Sequence, residues 1–357
     1  MKDDLISLSK ALIAIPSTKE SPDQLEAVLK AAQSVVSEFP FKRFVCDGNP
    51  SLLIYNKWPE NGKFHILLNG HLDVVPGKPE QFAATVEGDK LIGRGAIDMK
   101  AATAAEILAF KETAAKVDYP LALQLVTDEE IGGKKGVKYQ ISQGILTDFY
   151  LCGEYSDLEI CCETKGVLWI KMTTKGKRAH GAYVWNGVNA ITKLAKEIQS
   201  VSKIFPVPAK TAWKTTCNFG VISGGNTVNQ VPDEASVTLD IRHVPEDSSS
   251  QLLSKIKSGL TYPDTQLEIM EDEPCNHADK NDPLVKQLAA SIKQVAGENA
   301  KYVKFHGASD ARYYSAAGST AVDIGPTGEG LHSDYEWCSI KSLQTYKDIL
   351  VKFLLPL

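Results

Sequence analysis

The hydrophobic residues of this chain recur at two spacings, one typical of helices and one typical of buried strands. Helical spacing occurs over residues 3–15, 22–38, 101–116, 136–143 and 282–296, and again from residue 339 onward. Compact apolar runs predict strands at 51–55, 64–69, 121–127, 148–153, 302–305 and 320–323. Because the two kinds of segment alternate, we predict an α/β fold: a mixed, mostly parallel sheet with helices on both faces.

The pattern changes between residues 166 and 274. Strand alternation at 167–174 and 235–242 and helical spacing at 189–202 and 248–258 predict a smaller α+β domain inserted into the first. We therefore expect a catalytic domain built from residues 1–165 and 275–357, interrupted by a lid or dimerisation domain at 166–274. A chain of 357 residues is long enough for two cores.

Composition narrows the class of protein. With 43% hydrophobic and 23% charged residues the chain is typical of soluble globular proteins, and a net charge of −5 gives no reason to expect nucleic acid as a partner. No basic and apolar signal segment is visible, and no apolar run reaches the ~18 residues of a membrane span. Seven irregularly spaced cysteines fit free thiols in a reducing cytoplasm. We therefore expect a cytoplasmic protein, and the lack of a membrane-spanning run gives no reason to expect a membrane partner.

The first candidate for chemistry is the segment HLD at 71–73, which closes an apolar run. In an extended strand residues two apart share a face, so His71 and Asp73 emerge together at the strand end. A carboxylate there can accept from the second ring nitrogen of a metal-bound histidine. A polar turn after a strand is the simpler interpretation of this segment alone.

Four further acidic or histidine candidates follow predicted strands or lie in loops. They are Asp98 in GRGAIDMK (93–100), one acid of the Glu129-Glu130 pair, Glu154 in LCGE (151–154) and His332 in GEGLHSD (328–334). Singly they could be a helix cap, a solvated acidic turn and two surface residues. Together they match the rule that open α/β sheets bind ligands beyond the carboxyl ends of their strands.

The donor set predicts the cofactor. Two histidines and three carboxylates suit two divalent cations that share a bridging carboxylate, with zinc the default and manganese or cobalt also compatible. Only one of Glu129 and Glu130 is needed as a ligand, so the other would be free to act as a general base on a metal-activated water.

These motifs resemble the family of di-zinc amidohydrolases that includes acetylornithine deacetylase, succinyl-diaminopimelate desuccinylase and glutamate carboxypeptidase. The resemblance covers nearly the whole chain. It implies that His71, Asp98, Glu130, Glu154 and His332 are metal ligands and that Asp98 is the bridge, followed by a cis peptide. It also implies that Glu129 is the catalytic base and that Asp73 orients His71. Tyr155 stands where the family has proline.

The resemblance extends into the insert. The segment RAHG (178–181) resembles the family segment whose histidine enters a partner's active site, which implies a catalytic role for His180 and a homodimer. Asn229 in GGNTVNQVP (224–232) and Arg242 in LDIR (239–242) match substrate-contacting positions. Arg312 in GASDAR (307–312) falls in a pocket-lining loop, in which Ala308 replaces the usual glycine.

The expected activity is hydrolysis of the amide bond of an N-acyl amino acid, of deacetylase or desuccinylase type. The free carboxylate of this small molecule would be held by Arg242 or Arg312. A dipeptidase or carboxypeptidase on the same scaffold is the alternative, because peptide and N-acyl bonds need the same chemistry. The acyl group, the preferred side chain and the native metal are left open by the sequence.

Overall fold

The computed structural model describes residues 2–355. Within them the helices are α1 Lys2–Ile13, α2 Pro22–Val35, α3 Lys100–Thr113, α4 Val137–Ser142, α5 Ala190–Ile204, α6 Ser249–Gly259, α7 Pro283–Ala296, α8 Ala311–Ala316 and α9 Ile340–Leu354. None of these helices is long and apolar enough to cross a membrane.

The strands of the described chain run from two to ten residues. In chain order they are β1 Phe41–Cys46, β2 Asn49–Tyr55, β3 Lys63–His71, β4 Thr85–Glu87, β5 Lys90–Ile92, β6 Leu121–Val126, β7 Leu146–Cys152, β8 Ile160–Thr164, β9 Gly166–Lys175, β10 Ala179–His180, β11 Thr216–Gly224, β12 Gln230–Val231, β13 Glu234–His243, β14 Gln266–Glu273, β15 Asn276–His277, β16 Tyr302–Phe305, β17 Thr320–Asp323, β18 Gly328–Glu329 and β19 Trp337–Ser339.

The chain divides into two compact units. Within the described residues the first comprises 2–163, Asn276–Lys304 and 309–355, and the second comprises Thr164–Cys275 and Phe305–Ala308. Each has its own hydrophobic core.

The first unit is organised around a nine-stranded sheet in the order β1-β2-β6-β3-β7-β17-β8-β15, with β16 paired to β8. Its centre is parallel, since β3 pairs in parallel with both β6 and β7, and β17 pairs in parallel with β7. Strands β1, β2 and β8 pair antiparallel. The α/β prediction with a mixed, mostly parallel sheet is confirmed. Strands β6 and β8 are buried at every position, as expected for strands covered on both faces.

Helices cover both faces of this sheet. A side chain at Gly70 would collide with Thr103 and Glu106 of α3, whereas the neighbouring Asn69 donates to Gln124, which in turn donates to Gln140 of α4. Because successive strand residues point to opposite faces, α3 and α4 lie on opposite sides. Helix α3 also contacts α1 and α9.

A second, four-stranded sheet of the first unit has the order β18-β19-β5-β4. Trp337 of β19 pairs with Ile92 of β5, which brings the loop between β18 and β19 beside the glycine-rich loop that precedes α3. The sequence patterns did not predict this sheet, because its strands have only two or three residues. It places the loop that carries His332.

The second unit is an antiparallel sheet in the order β11-β13-β9-β14, with α5 packed on β9 and β13 and against α6. Strand β13 alternates between buried and partly buried positions along its length, as a sheet with one covered face requires. Its core contains Leu168, Ile170, Leu194 and Leu239. Strands β11 and β14 were not predicted, because few of their residues are buried.

Candidate metal and catalytic centre

His71 is the last residue of β3 and is 1% exposed. Its Nε2 lies 3.0 Å from Oδ1 of Asp98 and 3.8 Å from Oε1 of Glu154. Its Nδ1 lies 3.0 Å from the main-chain oxygen of Asp73 and 3.5 Å from Oδ1 of that residue. The ring is therefore held on the Nδ1 side by Asp73, mainly through the backbone, and presents Nε2 to two carboxylates.

The Asp73 carboxylate has a second task. It accepts from the backbone N–H of Glu129 at 3.3 Å and of Glu130 at 3.0 Å. These two residues begin a short 3-10 turn, Glu129–Ile131, that follows β6. Asp73 thus fixes the turn that carries Glu129 and Glu130. Because its carboxylate accepts these two backbone hydrogen bonds, it lies 3.5 Å from Nδ1 of His71, farther than the main-chain oxygen at 3.0 Å.

Asp98 lies at the centre of the group. One carboxylate oxygen is 3.0 Å from Nε2 of His71, and the other is 3.2 Å from Nε2 of His332. Nε2 of His332 is also 3.1 Å from Oε2 of Glu130. The Asp98–Met99 peptide is cis.

The five candidate ligands form two groups that share Asp98. His71, Asp98 and Glu154 form one, and Asp98, Glu130 and His332 form the other, with the potential ligand atoms of each group within 4.8 Å of one another. Imidazole nitrogens and carboxylate oxygens are the donors that divalent transition metals accept. The donor sets of both groups therefore fit divalent metal cations, and Asp98 belongs to both.

The electrostatics of these side chains also favour the binding of cations. Burial raises the pKa of Glu154 well above its usual range, and burial together with Asp98 raises the pKa of Glu130 to about 7. Although burial opposes it, hydrogen bonds from His332 and His71 lower the pKa of Asp98. Several carboxylates that repel one another in a buried site are stabilised by bound cations.

Glu129 stands apart from both ligand groups. Burial raises its pKa to about 7, with Asp98 and Asp73 adding to the rise and His71 and Arg312 opposing it. A carboxylate with a pKa near neutral can take up a proton and give it back under ordinary conditions.

A buried ion pair links the two loops of the centre, and sequence reasoning missed it. Glu336 is 1% exposed and accepts from Nη1 of Arg94 at 2.6 Å. Its other oxygen accepts from the backbone N–H of Ile97 at 2.9 Å and of Asp98 at 3.2 Å, while Nη2 of Arg94 donates to the Ser333 carbonyl at 3.0 Å. The pair therefore fixes the backbone of Asp98 and of the residue after His332.

The signal for this pair was weak in the sequence. Arg94 stands in the glycine-rich segment, and Glu336 follows His332 by four residues. Charged residues are rarely buried unless paired, so neither could be assigned to the interior without knowing its partner.

Two predicted residues of the insert lie close together in the second unit. His180 is in β10, which pairs with β12 next to Asn229, and the backbone N–H of Gly181 donates to the Asn229 carbonyl at 2.7 Å. His180 is exposed, and its Nδ1 accepts from the backbone of Ala182 at 3.1 Å. That bond leaves Nε2 as the ring nitrogen able to carry a proton outward.

The two predicted arginines differ in their surroundings. Arg242 in the second unit is half-buried, and its Nε donates to Asp240 at 2.8 Å. Arg312 in the first unit is 4% exposed and donates to the carbonyls of Ser309 at 2.6 Å and Gly132 at 2.8 Å. In this structure Arg312 therefore braces the loop after the Glu129–Ile131 turn.

Comparison with known proteins places these features in a family. The model of peptidase family M20/M25/M40 matches residues 67–355. Succinyl-diaminopimelate desuccinylase of Sulfurimonas denitrificans is 26% identical over 349 residues, covering 92% of each chain.

Solved structures share the fold over nearly the whole length. Aminopeptidase PepT of Bacillus cereus superposes with a TM-score of 0.81 at 19% identity, covering 99% of this chain and 98% of that one. A metallo-carboxypeptidase of Sulfolobus solfataricus superposes with a TM-score of 0.77 at 19% identity and the same coverage. Both solved structures are described as peptidases, and at these identities the likeness concerns the fold.

Proposed function

The chain belongs to peptidase family M20/M25/M40, a family of metal-dependent hydrolases, and from that premise we propose that it hydrolyses the amide bond of N-acyl amino acids with two bound divalent cations. The observation that carries the proposal is the pair of ligand groups sharing Asp98, with Glu129 beside them and outside both. The expected resemblance to this family, the enzyme class and the hydrolase activity are confirmed by the match.

His71, Asp98, Glu130, Glu154 and His332 would hold the cations. When bound, the cations would acidify a water molecule and withdraw electron density from the scissile carbonyl. We propose zinc as the native metal, with cobalt or manganese as replacements, because the set mixes nitrogen and oxygen donors.

Glu129 has the proton-transfer role in this proposal. Its carboxylate takes a proton from the attacking water and delivers it to the nitrogen of the leaving amine. The water therefore does not become positively charged as it attacks, and the amine does not leave as an anion. Burial raises the pKa of Glu129, and a raised pKa favours uptake of the proton from the water. Asp73 keeps Glu129 in place through the backbone bond described above.

The residues of the second unit would act on the substrate. We propose that His180 donates from Nε2 to the oxygen of the carbonyl as negative charge develops there, as preorganised donors do. Asn229 would contact the substrate, and Arg242 or Arg312 would hold its carboxylate. Of these two arginines, Arg242 is the more exposed and is the one we favour.

We also propose that the protein is a homodimer in which His180 serves the partner's site. The edge strand β11 carries the exposed side chains of Val221 and Ile222, and Trp185 and Val228 of the same unit are also exposed. An exposed apolar edge strand is a natural surface for pairing with an identical copy.

The cysteines bear on the cellular compartment that we propose. The free state of all seven cysteines supports a reducing, cytoplasmic setting.

A substrate panel tests the activity. Metal-free protein reloaded with zinc is assayed against N-acetyl and N-succinyl amino acids and against dipeptides, with Glu129→Gln as the matched variant. We expect hydrolysis of N-acyl amino acids, and we expect Glu129→Gln to bind zinc normally while kcat falls by roughly 10²–10⁴. Cleavage of dipeptides alone would support the peptidase alternative. Normal turnover by Glu129→Gln would refute the assignment of the base.

A further inference from the structure

A cleft in the second unit is lined by basic side chains and by no acid among its described lining residues. It has a volume of about 360 Å³. The basic residues are Lys165, Lys210, Arg242 and His306. Clustered basic side chains usually have acidic side chains beside them, so the lining of this cleft indicates that it binds an anionic ligand.

Lys165 is the buried member of this basic cleft. It is 1% exposed, and its Nζ donates to the Lys214 carbonyl at 2.6 Å. An ammonium has three donors, and a buried ammonium is costly unless its charge is compensated. The Trp213 ring lies 5.8 Å from Nζ and 5.7 Å from the His306 ring, so it is close to both basic side chains.

The charges in the basic cleft work against each other. Burial and then Arg242 lower the pKa of Lys165, and burial and then Lys165 lower the pKa of His306. Asp240 pairs with Arg242 and offsets one of the charges. An anion placed among the other cations would remove this mutual repulsion.

Apart from the hydroxyl-bearing Thr211 and Thr216, the remaining lining of the cleft is apolar. Val207, Pro208 and Ala212 supply it, and Val207 is 87% exposed in this structure. A site lined by both basic and aliphatic side chains fits a ligand that carries an anionic group and aliphatic carbon. Inorganic phosphate would use only the cations.

From these contacts we propose that the basic cleft binds the carboxylate of an aliphatic carboxylic acid, with its methylene groups against Val207, Pro208 and Ala212. The carboxylate could belong to an acidic acyl group of the substrate or to a free metabolite. The first of these sources rests on the proposed function, whereas the site itself does not.

The test is a titration of the full-length, metal-free protein with succinate, measured by calorimetry at low salt, so that catalysis plays no part. We expect saturable binding that weakens as salt is added, that exceeds binding of inorganic phosphate, and that is absent for uncharged succinamide. Lys165→Met should weaken succinate binding by at least about tenfold. Lys257→Met, which removes an exposed lysine of α6, should leave it unchanged.

Lys210→Met is the second variant, because the exposed Lys210 can be replaced without disturbing the buried Lys165 and should also weaken binding. Absence of succinate binding, equal binding by Lys210→Met and the native protein, or phosphate binding as tight as succinate would each overturn the proposal.

The two sources are separated with zinc-loaded enzyme and paired substrates, N-succinyl and N-acetyl forms of one amino acid. A loss of the preference for the N-succinyl form in Lys210→Met assigns the carboxylate to the substrate. An unchanged preference with weakened succinate binding assigns it to a free metabolite, and both results support the site. If succinate binds but no N-acyl amino acid is hydrolysed, the proposed function fails and the cleft stands.

Discussion

Replacing Glu336 by glutamine should destabilise the protein strongly, although the two side chains have nearly the same shape. In the native protein one carboxylate oxygen accepts from the backbone at Ile97 and Asp98, and the other accepts from Arg94 at 2.6 Å. Glutamine has only one oxygen. If that oxygen faces the backbone, the NH₂ group of the glutamine points at the Arg94 guanidinium. If the oxygen faces Arg94, the NH₂ group points at the backbone N–H groups of Ile97 and Asp98.

The magnitude follows from burial. Arg94 and Glu336 are 3% and 1% exposed, and breaking a buried ion pair costs about 3–5 kcal/mol. That is a large share of a total stability of roughly 5–15 kcal/mol. Because Glu336 also holds the Asp98 backbone, we expect zinc affinity to fall by about 10–100-fold, as for residues that orient metal ligands.

The assay is urea unfolding of metal-free protein together with zinc competition against a chelator. Glu329→Gln, an exposed residue of β18, is the matched control and should change neither quantity. Arg94→Met combined with Glu336→Gln should cost less than the sum of the single substitutions, since the clash of donors disappears. A cost for Glu336→Gln below about 1 kcal/mol, or additive single effects, would refute this reasoning.

Three further outcomes follow from the same contacts. Removing metal with a chelator should lower Tm, and restoring free zinc to about 100 times its Kd should return about 2.7 kcal/mol; equal Tm values would contradict a metal site. His180→Ala and Glu129→Gln homodimers should both be nearly inactive, and mixing them after verified subunit exchange should restore part of the activity; no recovery would place His180 in cis or outside the mechanism. Burial raises the pKa of Glu106 well above 4.5, so the folded state holds a proton that the unfolded chain releases. Stability should therefore fall as pH rises above that value, and the Tm of Glu106→Gln should rise relative to that of the native protein as pH increases above about 5; parallel pH profiles of Tm would show that Glu106 is ionised in the fold.

Much of the first unit could be predicted because its elements are strongly periodic. The buried runs that became β3, β6 and β7 and the Ala-rich helix α3 were located to within a few residues. Since parallel strands end at one edge of a sheet, locating those ends also predicted where His71, Glu130 and Glu154 would converge. The short β8 was not predicted, although all five of its residues are buried.

The sequence by itself therefore determined the class of fold, the strand ends and the residue types available for metal binding, because these depend on periodicity and composition within short windows. Only the tertiary structure decided which distant residues meet. The pairing of β19 with β5 brings the loop with His332 close to Asp98, and Glu336 forms its ion pair with Arg94, which is 242 residues away in the chain. No local pattern encodes such pairings, because they depend on strand order and on burial of charge, which exist only once the chain has folded.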